Sequence, residues 1–352
     1  MSLFRPSGPK IYPNPLRTVI PGLSKDEVDK LDYKPDAFPG VRDVETPYGT
    51  IRVYEWGPMT GQKVLFIHGI TTSCQTLGPT AHALVNEKGC RVMLFDLFGR
   101  GFSDGVGDLP HDTRLYTSQI LLALASSPLA WSGAENAFRV VGYSMGGGVA
   151  VHFAVTFPHL VSKLILLAPA GLIRSETFGA GKRWAFTSGL VPKSLLSLLT
   201  KRTLQKPIAA STNKRAGSTA KTDMVDASLV EAADPLPGDG MVPLNVQVVR
   251  YVRWMLEHHD GFVPAFNSCI RDAPLINQEE AYAKLAVRPK GSTTLILGEQ
   301  DSMVHPDAYE VDALPLIGGK EHVHWITVPG GHDFPMTHAK ETLEALDVDG
   351  VW

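Results

Sequence analysis

The sequence predicts an α/β fold, in which a mostly parallel, doubly wound sheet is interrupted by an inserted, mainly helical cap. Short continuous apolar runs alternate with segments of helical spacing, which is typical of βαβ units whose strands are buried on both faces. One such run ends at Gly142, and a serine and an apolar helical segment follow at once. The alternation stops over residues 171–289 and then resumes, which indicates an insertion between two strands of the same sheet.

Residues 1–40 are predicted to be an N-terminal arm that lies over the core. They are rich in proline and charge and hold one short helical candidate after Ser24, where Ser-Lys-Asp-Glu resembles a capping box. The core itself is assigned to residues 41–170 and 290–352, on either side of the insertion.

The strands of the core are predicted from their apolar runs. A strand buried on both faces forms a continuous apolar stretch, because neither face meets water. After a hairpin at 41–46 and 50–56, such runs lie at 62–68, 91–96, 139–141, 161–168, 293–297 and 323–328. Helical spacing predicts helices at about 73–88, at 113–126, after Ser144, after Pro306 and at about 335–346.

Residues 171–289 are predicted to form the helical cap over the strand ends. They include a helical stretch at 244–258 and a stretch at 207–223 that is low in large apolar residues. Five aromatic residues are candidate walls of a substrate pocket, although packing within the cap explains any one of them equally well. They are Trp184, Phe186, Trp254, Phe262 and Phe266.

The charge balance argues against a nucleic acid or an anionic lipid surface as the partner. Lys and Arg number 33 against 36 Asp and Glu, for a formal net charge of -3, so no global positive field would attract either one. A small molecule is the expected partner, and the oligomeric state is left open.

Cysteine usage and the N-terminus favour a cytoplasmic, soluble protein without metal or cofactor. The three cysteines are widely spaced and form no C-x-x-C pair, so they are interpreted as buried thiols in a reducing compartment. Prolines occupy the N-terminal stretch where a signal peptide needs an apolar core. No run approaches the roughly 20 apolar residues of a membrane span.

Ser144 is the candidate nucleophile. It lies in Gly142-Tyr143-Ser144-Met145-Gly146, directly after a strand and directly before a helix, which is the context that a G-x-S-x-G nucleophile turn requires. The two glycines lack a Cβ and can therefore sit where the strained turn is pressed against neighbouring segments. The hydroxyl would lie at a helix N-terminus, where backbone N–H groups favour developing negative charge.

A serine hydroxyl also needs a base and an acid that orients the base. Asp301 follows the 293–297 strand, and His332 follows the 323–328 strand in a Pro-Gly-Gly-His turn. The chain order Ser144, Asp301, His332 is the one expected of this kind of serine nucleophile. The rivals for the acid are Glu299 and Asp307, and those for the base are His305, His322, His324 and His338.

The oxyanion donors are predicted to be backbone N–H groups. One is that of Met145, and the other is that of Ile70, with Thr71 as the alternative. His68 is interpreted as a histidine that braces this loop. Asp96 and its neighbouring glycines lack the lysine of a phosphate-binding loop and are interpreted as a tight turn braced by the Asp96 carboxylate.

Together these motifs resemble the alpha/beta-hydrolase superfamily. The resemblance rests on the His68-Gly69 loop, the D-x-x-G-x-G-x-S stretch at 96–103, the Gly142 to Gly146 turn, the Asp301 turn and the Pro329 to His332 turn. It implies a serine hydrolase fold with a Ser-His-Asp triad. A serine at 144 separates the chain from the epoxide hydrolases and haloalkane dehalogenases, whose nucleophile is an aspartate.

The residues 168–172 and 262–266 look similar to the esterase, lactonase and carbon–carbon bond hydrolase branches. This resemblance implies hydrolysis of a carboxylic ester or lactone of a small to medium apolar molecule. A carbon–carbon bond or amide hydrolase with the same triad is an alternative. A ligand-sensing protein of the same fold with negligible turnover is a further one.

Overall fold

The computed structural model describes residues 9–174, 186, 190–205 and 242–348. The strands, in chain order, are β1 (Ile11–Tyr12), β2 (Val41–Thr46), β3 (Gly49–Trp56), β4 (Lys63–Ile67), β5 (Arg91–Phe95), β6 (Gly105–Val106), β7 (Phe138–Tyr143), β8 (Val161–Leu167), β9 (Thr293–Gly298) and β10 (His324–Val328).

The helices in the described part of the chain are numbered in the same way. They are α1 (Pro15–Thr18), α2 (Lys25–Asp29), α3 (Gly78–Lys88), α4 (Thr113–Ala125), α5 (Met145–Thr156), α6 (Lys193–Gln205), α7 (Leu244–His258), α8 (Phe262–Asp272), α9 (Glu279–Ala283), α10 (Pro306–Asp312), α11 (Phe334–Thr337) and α12 (Ala339–Leu346). None of these helices is long and apolar enough to cross a membrane.

Eight of the described strands form one sheet, in the order β10-β9-β8-β7-β4-β5-β3-β2. Strands β10, β9, β8, β7, β4 and β5 pair in parallel with their neighbours. The β2–β3 hairpin adds an antiparallel edge next to β5. The predicted α/β fold with a mostly parallel sheet is confirmed. Because parallel strands all point the same way, the loops that follow them meet at one edge of the sheet.

The core lies on both faces of the central strands. The apolar side chains of β4, β7 and β8 are almost completely buried, and α5 packs against β7 and β8. This burial explains why these strands appeared in the sequence as continuous apolar runs. The loops at the carboxyl edge of the sheet therefore follow strands that are tightly packed on both faces.

The N-terminal residues 9–40 add a small structure that the sequence did not indicate. Strand β1 pairs with β6 in a separate two-stranded antiparallel sheet, and strands of two residues are too short to leave a periodic pattern. The capping box predicted after Ser24 is present at the start of α2. Tyr33 is fully buried and stacks on Phe102, so this segment contacts the core.

The last predicted helix is divided in the structure. We expected one helix at about 335–346, but α11 and α12 are separated at His338, whose backbone φ of -129° and ψ of 46° are not helical. The periodicity of the sequence does not record a break at a single residue, because the apolar spacing continues on both sides of it.

Residues 171–289 contain α6, α7, α8 and α9 in their described parts. The stretch at 207–223 lies outside the described residues. The assignment of this segment as a cap with these boundaries therefore stays a prediction.

Candidate active site

Ser144 lies in the strained turn between β7 and α5. Its backbone φ is 54° and its ψ is -123°, which a residue with a Cβ adopts only when the surrounding structure enforces it. A Cβ on Gly142 would come within 2.6 Å of the Gly146 carbonyl oxygen, and one on Gly146 within 2.2 Å of the Ile67 carbonyl oxygen. The two glycines thus let the turn pack against β4, which holds the serine at the carboxyl edge.

The structure brings Ser144, His332 and Asp301 together. The Ser144 Oγ is 2.9 Å from His332 Nε2, and His332 Nδ1 is 2.7 Å from Asp301 Oδ2. Asp301 and His332 are completely buried, and Ser144 is 3% exposed. Because parallel strands deliver their following loops to one edge, three residues far apart in the sequence form a connected chain of hydrogen bonds.

The hydrogen bonds of Asp301 orient the histidine. Its Oδ1 accepts from the backbone N–H groups of Met303 and Val304, each at 2.8 Å, which leaves Oδ2 for His332. A carboxylate can only accept hydrogen bonds, so His332 Nδ1 carries the proton. Its Nε2 is then the acceptor that faces the Ser144 hydroxyl, as a general base requires.

Tyr143 also positions the histidine, and sequence reasoning missed it. Its hydroxyl donates to the His332 carbonyl oxygen at 2.9 Å, and the two rings lie 5.5 Å apart. Tyr143 is the variable residue of the G-x-S-x-G motif, directly before Ser144. No spacing in the sequence relates it to a carbonyl group 189 residues further along the chain.

The loop after β4 carries the second predicted oxyanion donor, Ile70. In this loop, His68 Nδ1 donates to the Gly69 carbonyl oxygen at 2.9 Å, and His68 Nε2 accepts from the Leu97 N–H at 2.9 Å. Burial, with the Arg100 guanidinium nearby, lowers the pKa of His68 to about 3. The imidazole is therefore neutral and braces the loop, as its position in the sequence suggested.

Met145, the other predicted donor, is the first residue of α5 and is fully buried. The first N–H groups of a helix have no partner within the helix. Such a group next to the candidate nucleophile is suited to an oxyanion. The roles of Met145, Ile70 and the alternative Thr71 remain predictions.

The Asp96 turn has the braced geometry expected of it. Asp96 Oδ1 accepts from the Cys74 N–H at 3.0 Å, and Oδ2 accepts from the Phe102 N–H at 2.9 Å and the Tyr33 hydroxyl at 3.1 Å. A Cβ on Gly101 would lie 2.0 Å from Asp96 Oδ2. The glycine therefore permits the close approach of the turn to the carboxylate, and no phosphate site is needed to explain it.

The rivals considered for acid and base lie at less suitable positions. Glu299, Asp307 and His305 are exposed, and His322, His324 and His338 are half-buried. A group that must hold a base or accept a proton in a water-poor site is better placed when it is buried beside its partner. Asp301 and His332 satisfy that condition.

The aromatic residues predicted as pocket walls have varied surroundings. Phe262 and Phe266 are fully buried in the main core, and Trp254 stacks on Tyr251 with ring centroids 5.3 Å apart. Phe186 packs with Leu196 in a small separate cluster, and Trp184 lies outside the described residues. Core packing accounts for the contacts of these side chains, and a pocket role stays a prediction.

The sequence profile of a family described as the alpha/beta hydrolase fold matches residues 63–339. The match covers well over half of the chain and contains Ser144, Asp301 and His332. The chain belongs to the alpha/beta hydrolase fold family. The resemblance inferred from the motifs is thereby confirmed.

A sequence relative and solved structures are also similar to this chain. A serine hydrolase-like protein of Dictyostelium discoideum is 32% identical over 148 residues, which are 40% of this chain and 38% of that protein. The chain thus matches well under half of that relative's length. A bromoperoxidase from Bacillus anthracis has a TM-score of 0.59 at 19% identity, over 87% of this chain and 98% of that chain.

An enol-lactonase from Burkholderia xenovorans LB400 has a TM-score of 0.58 at 15% identity, over 87% of this chain and 99% of that chain. At such identities the likeness to both structures concerns the fold alone.

Proposed function

We propose that this chain is a cofactor-independent serine hydrolase that cleaves a carboxylic ester or lactone of a small to medium apolar molecule. The observation that carries the proposal is the pair of hydrogen bonds that joins Ser144 to His332 and His332 to Asp301. The strained φ of Ser144 supports it, because strain at a single non-glycine residue is typical of functional sites.

The reaction proceeds through an acyl-enzyme. His332 Nε2 takes the hydroxyl proton as Ser144 Oγ attacks the substrate carbonyl carbon, and the N–H groups of Met145 and Ile70 receive the oxyanion. The intermediate then expels the alcohol, which takes its proton from His332. Water, activated by the same histidine, releases the acid and regenerates Ser144, while Asp301 holds the imidazole throughout.

The helices α7 and α8 belong, in this proposal, to a cap over the carboxyl edge of the sheet. The Tyr251 hydroxyl on α7 donates to the Gly101 carbonyl oxygen at 3.3 Å, and the Gly101 N–H lies 3.2 Å from Met255 Sδ. Gly101 is in the turn after β5, which is the edge that also carries Ser144. Side chains above this edge would therefore select the acyl and alcohol groups.

The proposal is tested with short-chain nitrophenyl esters and a fluorophosphonate probe on the purified chain. We expect the probe to label Ser144, and we expect Ser144→Ala to lower kcat/KM at least about 10⁴-fold. Ser292→Ala is the matched control, because Ser292 is also buried but precedes β9 at the opposite edge. Equal ester turnover in Ser144→Ala and the parent would exclude this mechanism.

A substrate panel then distinguishes the hydrolase classes. Esters, lactones, amides and carbon–carbon bonded diketones are offered to the parent and to Ser144→Ala at equal concentrations. We expect esters or lactones to have the highest kcat/KM. If amides or diketones are the preferred substrates and their turnover is lost in Ser144→Ala, the proposed triad would be supported and the proposed ester or lactone substrate would be wrong.

A further inference from the structure

Arg100 is a completely buried arginine in the turn after β5. Its Nε donates to the Ile70 carbonyl oxygen at 2.9 Å, and its Nη1 donates to the Phe98 carbonyl oxygen at 3.0 Å. A guanidinium presents its donors in a fixed planar fork, so several acceptors in this geometry hold it in one orientation. The turn is thereby joined to the loop that carries Ile70, the second predicted oxyanion donor, and its alternative Thr71.

The two peptide units that begin at Gly69 and Ile70 are both held by their carbonyl oxygens. The Gly69 carbonyl accepts from His68 Nδ1, and the Ile70 carbonyl accepts from Arg100 Nε. In a trans peptide the N–H points opposite to the C=O. Fixing these carbonyls therefore fixes the directions of the Ile70 and Thr71 N–H groups, which are the predicted donor and its alternative.

The other end of the Arg100 guanidinium contacts α8. Its Nη2 lies 3.3 Å from Cys269 Sγ, and its Nη1 lies 3.2 Å from the Tyr116 hydroxyl, which is itself 2.9 Å from Cys269 Sγ. Burial raises the pKa of Tyr116, so the phenol is neutral and can accept from Arg100 while donating to the thiol. One side chain thus connects α8 to the Ile70 carbonyl.

We propose that Arg100 is a positioning residue that holds the Ile70 carbonyl oxygen and thereby fixes the backbone of the loop that carries the Ile70 N–H, the predicted oxyanion donor, and the Thr71 N–H, its alternative. The inference rests on the proposed hydrolase function and deepens it. The guanidinium does not touch the substrate. It acts through the loop backbone, and by donating to the Ile70 carbonyl it also polarises the N–H of the same peptide unit, which is that of Thr71.

A buried arginine with a purely structural role would affect folding and not the chemical step. Arg288 provides the matched control for that role. It is 7% exposed and also donates to a backbone carbonyl, that of Val161 at 3.1 Å. Val161 is the first residue of β8, at the edge of the sheet opposite to Ser144. Replacing Arg288 should therefore lower stability without altering the oxyanion loop.

The test compares Arg100→Met, Arg100→Lys and Arg288→Met with the parent in nitrophenyl ester hydrolysis, with rates normalised to the folded fraction. We expect Arg100→Met to lower kcat about 100-fold, the size of losing one oxyanion donor, with KM within about threefold. Arg100→Lys should recover part of this loss, because a lysine keeps the charge but not the fork. Arg288→Met should keep the parental kcat.

Inhibition by phenylboronic acid adds a second readout, because its tetrahedral serine adduct resembles the transition state. Its inhibition constant should rise in parallel with the loss in kcat/KM for the Arg100 variants. Amide hydrogen exchange of the peptide that contains residues 68–73 should also become faster in Arg100→Met and not in Arg288→Met. This measurement does not depend on activity.

The outcomes separate the two proposals. Turnover that is lost in Ser144→Ala but kept in Arg100→Met, with unchanged exchange of the loop, would overturn the inference alone. Turnover that survives in Ser144→Ala would overturn the proposed function and with it the catalytic meaning of Arg100. If Arg100→Met does not fold, Arg100→Lys decides between these outcomes by the same three measurements.

Discussion

The turns after β5 and β9 share a buried aspartate, and different roles are expected of the two aspartates. Each carries a completely buried aspartate, Asp96 or Asp301, at the carboxyl edge of the sheet, and each carboxylate accepts from two backbone N–H groups. The difference lies in the remaining partner. Asp96 accepts from the Tyr33 hydroxyl, and Asp301 accepts from His332.

This difference shows that the local turn does not define the role of its aspartate. Both carboxylates stabilise their turns, but of the two only Asp301 contacts the histidine that contacts Ser144, the candidate nucleophile. The Tyr33 hydroxyl, which donates to Asp96, also contacts the Tyr54 hydroxyl and the Cys74 thiol, and both of these groups are buried. We therefore expect a catalytic role for Asp301 and a structural role for Asp96.

Between the two turns, the largest expected effect is that of Asp301→Asn on turnover. The asparagine can keep its oxygen towards Met303 and Val304, but its amide nitrogen then donates to His332 Nδ1. The imidazole would adopt the wrong tautomer, which lowers kcat about 10⁴-fold. Steady-state ester hydrolysis measures this loss, and thermal unfolding should show a Tm close to that of the parent. A kcat within tenfold of the parent would remove Asp301 from the proposed triad.

Asp96→Asn should change the free energy of unfolding and leave turnover largely intact. One of the Cys74 and Phe102 N–H groups would face an amide nitrogen in place of an oxygen, and a buried unsatisfied donor costs about 1–3 kcal/mol. Because burial raises the pKa of the Asp96 carboxyl, removing the charge offsets part of this cost. Denaturant unfolding measures the change, and kcat of the folded protein should fall less than about tenfold. A loss of kcat of about 10⁴-fold would mean that Asp96 is needed for turnover as much as Asp301 is, which contradicts the structural role expected of Asp96.

A pH-dependent effect on stability is expected of His68, which contacts the Asp96 turn through the Leu97 N–H. Since the pKa of His68 is lowered to about 3, below its ordinary value of about 6.5, the unfolded chain binds a proton that the folded chain does not. The free energy of unfolding should therefore fall as the pH drops from about 6.5 towards 3. The contribution of one such histidine is at most about 1.4 kcal/mol per pH unit.

His68→Gln keeps one donor and one acceptor but cannot titrate. Urea unfolding at several pH values between about 4 and 6.5 should show a shallower decline in stability for this variant. The buried His111 and His259, whose pKa values are lowered to about 3 and about 4, titrate in the same direction in both proteins. Parallel curves for variant and parent would mean that His68 is protonated in the folded state.

The core strands and the common edge of their loops could be predicted, because they depend on patterns in consecutive residues. The apolar runs of β4, β7 and β8 predicted buried parallel strands, and parallel strands deliver their loops to a common edge. The β1–β6 pairing could not be predicted, because strands of two residues leave no pattern. The hydrogen bond from Tyr143 to the His332 carbonyl was also missed, since it joins a side chain to a backbone group that has no sequence signature.

The sequence by itself determined the order of the core strands along the chain, the glycines around Ser144, and the positions of Asp301 and His332 after their strands. These follow from backbone sterics and from burial on two faces, which act on consecutive residues. Only the tertiary structure decided which buried aspartate faces a histidine, which carbonyl Arg100 holds, and that Phe262 and Phe266 are fully buried in the main core. Such pairings depend on side chains from distant segments meeting in three dimensions, and their energies arise only once the chain has folded.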